Sequence, residues 1–302
     1  MKRFKSGFSN PPWHSIVWCY LLFTIGCDTP MSQTITKPKT MESSYIFQKE
    51  IQNKYLESLT GIYDVMGNYY QGVEKAELHL LKEVFHNEWL MKDTDNPGAT
   101  TLNVEGKAAF LKRVADHGPY QDYAKERVIA DIGFAYDDLC FVRVNKDPSR
   151  NSTSFFLFKI GDSWKIMDKI WVNPRKQHRE PSQLKSSFAE VETLINNYYE
   201  ALSRNDVNLL SVLIHEDWDL KYQDASGILQ VVNKHDFLQT FRSDTHHQFM
   251  DFSQLPSIEI YHDQLAIARI DQPDKYETTY LVIFKVNGQW YVTNERRSSK
   301  DI

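Results

Sequence analysis

Apolar and polar positions along this chain follow one pattern, written twice. Ile62, Val65, Met66, Tyr69, Tyr70 and Val73 recur at helical spacing, and Val191, Leu194, Ile195, Tyr198, Tyr199 and Leu202 repeat that stripe 129 residues later. Asn-Tyr-Tyr recurs at 68–70 and 197–199. HNEW (His86 to Trp89) and HEDW (His215 to Trp218) each follow a short apolar helix. GKAAFL, with Phe110, matches NKHDFL, with Phe237, and the run from Ile132 matches the run from Ile258. SFFLFKIGDSWKIMDK from Ser154 matches TYLVIFKVNGQWYVTN from Thr279, which pairs Trp164 with Trp290.

Each copy therefore reads as a long helix, a short helix, a strand, a third helix and four strands. Strands grouped after helices predict an α+β fold with helices on one face of an antiparallel sheet. Asn287-Gly288 suits a type I′ hairpin turn, and Gly161-Asp162 is a workable substitute in the first copy.

The repeat sets the domain organisation. Residues 45–173 form the first domain, 174–187 a polar linker with two prolines and 188–302 the second domain. Ahead of them, residues 27–44 are rich in Thr, Ser, Pro and Lys and read as a flexible tether. Residues 1–26 read as a targeting segment: Lys2, Arg3 and Lys5 precede an apolar run from Ile16 to Gly26, too short to span a bilayer of about 30 Å. With Cys27 directly after it, the segment resembles a bacterial lipoprotein signal, in which the cysteine is lipidated by acyl chains such as palmitate. It departs from that pattern in having Thr24 where leucine is usual. Ordinary export and an uncleaved anchor are the alternatives. The implied location is the bacterial cell envelope, facing the periplasm or exterior.

A formal charge of -5 over 302 residues argues against a nucleic-acid partner, which requires a basic face. Removing residues 1–26 takes away three positive charges and no negative ones, so the exported body is more acidic still. Cys140 then has no intrachain partner. It sits in the apolar run LCFVRV and reads as a small buried hydrophobe.

The helix ending in Asn-Tyr-Tyr, the Phe-His or Ile-His step before the first strand, and the closing Phe-Lys-Ile/Val hairpin with its tryptophan resemble the nuclear transport factor 2-like superfamily, most closely its lumazine-binding-like branch. The resemblance covers about residues 50–173 and 188–297. It implies two tandem cone-shaped cystatin-like rolls, each with about three helices packed on a curved antiparallel sheet around a pocket. Superfamily members include isomerases, dehydratases and proteins without known catalysis, so the fold alone does not assign an activity.

Candidate chemistry follows from strand alternation. Trp164, Ile166, Asp168 and Ile170 share one face, as do Trp290, Val292 and Asn294. If the tryptophans mark the concave face, Asp168 and Asn294 point into the pockets. A carboxyl group in an apolar pocket has its pKa raised and suits proton transfer; the alternative is that Asp168 only holds the sheet by hydrogen bonds. Among ketosteroid-isomerase-like relatives the general base lies a few residues past the second helix, which by count is Asp93 here and Tyr222 in the second copy. Asp93 otherwise reads as a solvated loop residue in KDTDNPG. His86 and His215 each close a helix in this reading and cap its carbonyls. Scytalone-dehydratase-like members pair a histidine with an aspartate, so His86 is also a catalytic candidate.

Tyr69 and Tyr198 chiefly supply packing, with a hydroxyl reaching each cavity. Arg143 and Arg269 match across the copies, and either binds an anion or pairs with a carboxylate on a neighbouring strand. No motif calls for a metal or a cofactor, and His246-His247 are adjacent residues that face opposite ways on a strand.

Two readings result. The first is a membrane-tethered protein that binds a small molecule or a partner, with Tyr69, Trp164, Arg143, Tyr198, Trp290 and Asn294 lining the pockets. The second is a cofactor-independent dehydratase or isomerase on a sugar or other hydroxylated metabolite, active in the first domain through Asp93, Asp168 and His86. A homodimer formed through the sheets is compatible with both.

Overall fold

The computed structural model describes residues 40–94, 98–125, 127–145, 152–172, 181–243 and 256–299. In the first copy, α1 (Thr40–Lys75) and α2 (Leu78–Val84) lead into β1 (Phe85–Thr94) and β2 (Asn103–Gly106), followed by α3 (Lys107–His117) and β3 (Val128–Ala135), β4 (Leu139–Asn145), β5 (Ser152–Ile160) and β6 (Ser163–Val172). The second copy repeats this order with α4 (Pro181–Ser203), α5 (Val207–Leu213), β7 (Ile214–Gln223), β8 (Leu229–Asn233), α6 (Lys234–Ser243), β9 (Ser257–Tyr261), β10 (Leu265–Gln272), β11 (Glu277–Val286) and β12 (Gln289–Ser299). The molecule is thus two tandem α+β cones, each with a six-stranded sheet.

Four details depart from the expectation. A short second strand, β2 or β8, precedes the third helix in each copy, and the sheets are mixed because β1 runs parallel to β6 and β7 parallel to β12. α1 begins at Thr40, inside the stretch read as tether, and α4 begins at Pro181, inside the linker. Pro at the first helical position suits the missing N–H there. Residues 1–39, with Cys27, and His246-His247 lie outside the described residues.

The hairpins turn as their residues require. Asn287 and Gly288 have φ of 49° and 77°, the paired left-handed values of a type I′ turn, and Gly161 has φ of 60°.

Gln52–Ile302 is one compact unit built around three apolar clusters. One lies between the first sheet and its helices (Ile62, Met66, Tyr69, Phe85, Trp89, Phe110, Phe155, Trp164), and a second holds the matching residues of the other copy (Val191, Ile195, Tyr198, Trp218, Phe241, Trp290). The third joins the two sheets directly: Phe141, Phe156, Phe158, Met167 and Ile170 pack on Leu265, Ile267, Tyr280, Val282 and Phe284. At about 1.5–3 kcal/mol for each large apolar side chain buried, that third cluster binds the copies firmly together. The sheet faces through which a second chain was expected to bind are packed on each other within this chain.

Candidate functional site

A β-bulge decides which side chains can reach a pocket. Between β5 and β6, Phe156 pairs with Asp168 but Leu157 pairs with Ile166, so Met167 is the extra residue and alternation reverses there. Trp164 and Ile166 stay on the helix side, whereas Asp168, Ile170 and Val172 turn to the sheet–sheet interface. Thr293 does the same in β12: Val282 pairs with Asn294 and Ile283 with Val292. The expectation that Asp168 and Asn294 face the pockets is therefore corrected, because a continuous two-residue period was assumed where one residue is inserted.

At the interface Asp168, fully buried, accepts from Lys221 Nζ at 2.9 Å and from Arg296 Nε and Nη2 at 2.6 and 2.7 Å. Lys92 crosses the other way, donating to Asp219 at 2.5 Å and to the carbonyl of Thr293 at 2.9 Å. Arg296 also reaches Asp219, at 2.7 Å, and Asn294 donates to the same carboxylate at 3.3 Å. Three cations and two carboxylates are thus enclosed between the sheets. Burial pushes the Asp219 carboxyl up, but Arg296, Lys92 and Lys221 outweigh it and hold it well below the ordinary range. Burial lowers the Lys92 ammonium against the pull of Asp219. This network joins the repeats, and a ligand has no access to it.

Asp93 lies on the opposite face. Strand β1 continues through it, and it pairs in register with Trp171 and accepts from Asn103 at 3.1 Å. At 4% exposure it is not a solvated loop residue. Because Asp93 and Asp168 stand on opposite sides of one sheet, they do not form an acid and base pair. His86 is also relocated: α2 ends at Val84, and His86 is the second residue of β1, with Nδ1 accepting the amide of Glu88 at 3.2 Å. His215 and the amide of Asp217 repeat this contact at 3.2 Å, so both histidines pin a strand entrance. Burial, the largest influence on each, lowers the pKa of both imidazoles.

Trp164 and Trp290 are on the helix side, as expected, where each packs in the core cluster of its copy and also walls a groove. Trp164 lines a groove of about 400 Å³ with Gly61 and Asp64, and Trp290 one of about 570 Å³ with Leu194 and Leu213. Trp290 Nε1 donates to Glu190 at 2.9 Å. Arg143 takes its pairing role, donating to Glu259 of the other repeat at 2.9 Å, and Arg269 holds Asp271 and the Tyr280 hydroxyl. Cys140 is buried, and burial raises its thiol pKa far above the usual value.

The cone interiors hold residues that alternation did not select. After the bulge, Lys169 and Trp171 face the helices of the first copy, where Glu295 and Arg297 stand in the second. Tyr69, without exposure, meets the Tyr123 hydroxyl at 2.9 Å, and Lys169 Nζ lies 5.9 Å from the Tyr69 ring and 5.6 Å from the Phe110 ring. Arg127 stacks on Tyr123 with its guanidinium carbon 3.4 Å from the ring centroid. Burial raises the Tyr123 phenol, but Lys169 and Arg127, with hydrogen bonds from Tyr69 and Lys169, outweigh it and bring it below the ordinary value. Tyr69 moves well up, through burial first and then Tyr123.

Among the described residues neither Lys169 nor Arg127 has a carboxylate within ion-pair distance. Around them Tyr70 Oη, Trp89 Nε1 and Trp171 Nε1 are buried without a hydrogen-bond partner. In the second cone the equivalent charge is neutralised at once: Glu295 accepts from the Tyr198 hydroxyl at 2.5 Å and from Arg297 at 2.5 Å. Among the described residues no group of three His, Cys, Asp or Glu side chains is placed to hold a metal, and no helix is long and apolar enough to cross a membrane.

These features define an α+β cone, built twice in one chain and fastened sheet to sheet. Residues 57–172 match the family model described as "Putative lumazine-binding". Similar solved structures include a nuclear transport factor 2-like protein of unknown function from Shewanella baltica (17% identity, 41% of this chain and 100% of that one, TM-score 0.33) and another from Silicibacter pomeroyi (14%, 39% and 98%, TM-score 0.32). A ketosteroid isomerase-like protein from Erwinia carotovora atroseptica matches at 14% identity over 38% of this chain and 96% of its own, with TM-score 0.30. Among curated proteins no match was found.

Proposed function

We propose that this is an exported, lipid-anchored binding protein of the cell envelope whose first cone takes a small molecule while its second serves as scaffold. The observation that carries the reading is the contrast at one repeat position: in the first cone Lys169 faces the Tyr69 and Phe110 rings beside a Trp171 indole N–H without a partner, whereas in the second Glu295 accepts from Tyr198 and Arg297. A buried donor left unpaired costs about 1–3 kcal/mol, so an occupant that accepts from several of them binds with that energy. This narrows the expectation of a pocket in each domain to one.

Native mass spectrometry of the full chain after mild purification tests it. One small-molecule adduct per chain, released on denaturation, is the expected result; an adduct-free chain without saturable binding of any metabolite fraction sinks the reading. The anchor is tested separately, since Cys27→Ser is expected to move the protein from the membrane fraction to the soluble one.

A second reading, acid/base catalysis by a dehydratase or isomerase, loses its Asp93–Asp168 pair. It retains one favourable observation: the Tyr123 phenol, lowered by Lys169 and hydrogen-bonded to Tyr69, is suited to exchange a proton at pH values where an ordinary tyrosine is inert. Turnover that disappears in Tyr123→Phe while the ligand is still bound would favour it.

A further inference from the structure

The grooves at Trp164 and Trp290 are equivalent in the repeat, and the second shows filled what the first leaves open. We propose that the groove at Trp164 binds an apolar α-amino acid, with the carboxylate between the Trp164 indole N–H and Lys159 and the ammonium at an acidic rim. It is a second site, separate from the one at Lys169.

In the second groove the carboxylate is the chain's own. Glu190 accepts from the Trp290 indole N–H at 2.9 Å and from Lys285 Nζ at 3.3 Å, and Lys285 also reaches Asp263 at 3.4 Å. The first groove keeps this framework without its acceptor: Trp164 and Lys159 are cross-strand neighbours, as Trp290 and Lys285 are, but Gly61 stands in the place of Glu190. Asp137, the counterpart of Asp263, is taken by Lys54. The indole edge faces the gap, since a Cβ at Gly61 would lie 2.9 Å from Cδ1 and 3.6 Å from Nε1. Trp164 is 4% exposed, and among the described residues its Nε1 and the Lys159 ammonium have no hydrogen-bond partner. A buried N–H beside an unpaired ammonium calls for an acceptor, and one carboxylate serves both.

The rim supplies the other half of the ligand. Glu57, Asp64, Glu83 and Asp162 line the first groove, where the second copy has Ser186, Thr193, Val212 and Gly288. Among the described residues none of the four carboxylates forms an ion pair, and Lys165, beside them, is turned to the Glu83 carbonyl at 2.7 Å. Such a rim repels a simple anion, whereas a zwitterion places its ammonium there. Val65, Val84 and the indole ring give the groove of about 400 Å³ an apolar wall for a side chain.

The test is nuclear magnetic resonance of the full chain, reading the Trp164 indole N–H during titration with L-leucine, with N-acetyl-L-leucine and with L-leucinamide. L-leucine is expected to shift that resonance saturably and to bind about tenfold more tightly than either analogue, the margin of one charge-assisted contact. Lys159→Gln is expected to weaken L-leucine about tenfold and leave L-leucinamide unchanged, and Glu57→Gln with Asp64→Asn to reduce the preference over N-acetyl-L-leucine. No saturable shift up to about 10 mM, either analogue binding as tightly as L-leucine, or undiminished binding in Lys159→Gln would overturn the proposal. A shift confined to Trp89 or Trp171 would also overturn it, by moving the amino acid to the site at Lys169, whereas none of these failures touches the adduct expected in native mass spectrometry.

Discussion

Position 169 in the first repeat and position 295 in the second are the same place in the same fold, and they carry opposite charges. Glu295 is fully buried and closed off by Tyr198 and Arg297, while Lys169 is half-exposed and faces rings. A duplicated cone has two interiors to stabilise, and at this position the chain sets an ion pair in one and a cation facing rings in the other. The comparison teaches that one repeat position can close an interior with its own ion pair or set a cation against aromatic rings. It also predicts that the interiors respond differently to matched substitutions.

The largest effect is expected outside both interiors, at the network that holds them together. Asp168→Asn leaves three buried cations facing one carboxylate, and breaking a buried pair on one side costs about 3–5 kcal/mol in urea unfolding. The same network makes the fold sensitive to acid. Asp219 has its folded pKa depressed, so its stabilisation is fully present above the unfolded carboxylate value and is lost as pH falls through the folded one. Unfolding midpoints measured between about pH 6 and pH 2 should decline in the native chain and decline less steeply in Asp219→Asn, which starts lower. A parallel decline in both would remove Asp219 from the explanation.

Next in size is the matched pair itself. Glu295→Ala strands the Tyr198 hydroxyl and Arg297, and is expected to cost about 2–4 kcal/mol. Lys169→Met breaks no ion pair and exchanges one long side chain for another, so its cost should stay below about 1 kcal/mol. Equal losses in the two variants would mean that Lys169 is structural, and the contrast between the cones would fail. Spectroscopic titration adds a second readout: with Lys169 gone, the Tyr123 phenol is expected to ionise at higher pH.

Much of this architecture is written in the apolar spacing. The two tyrosine-bearing helices, the strand order after each third helix and the turns at Gly161 and Asn287 follow from periodicity and turn chemistry. The side of the sheet on which Asp168 lies does not follow. β6 is apolar on both faces, since one face meets helices and the other meets the second sheet, so alternation there has no contrast from which a bulge at Met167 could be read. One signal was available in the letters: a lysine recurs in HNEWLMK and HEDWDLK, at Lys92 and Lys221, three residues after each tryptophan. A cation repeated at the same place in both copies, next to the apolar Met91 or Leu220, calls for a buried counter-charge, and seeking one would have led to Asp168 and Asp219. Lys169 carried the same kind of signal for the candidate site, because a lysine among Ile166, Ile170 and Trp171 is out of place unless a cavity or a partner receives it.

The smallest contrast lies at the outer grooves, where the repeats accommodate their tryptophans by different means. α1 places Gly61 against Trp164, and a Cβ there would meet Cδ1 of the indole at 2.9 Å. The ring is held from its other side by an edge contact with Phe134, 5.9 Å between centroids, so it has little freedom to withdraw. Gly61→Ala is therefore expected to destabilise by about 1–2 kcal/mol through overpacking, even though alanine is the better helix former. At the equivalent place α4 carries Glu190, which holds Trp290 through the indole nitrogen at 2.9 Å and is itself largely in solvent. Glu190→Ala forfeits that hydrogen bond together with exposed contacts from Lys285 and Ser186, and should cost about 0.5–1 kcal/mol, the low end for such contacts. Urea midpoints of the two variants decide the matter. A loss at Glu190 equal to or larger than the loss at Gly61 would show that the hydrogen bond, and not the space left by glycine, governs how each helix seats its tryptophan.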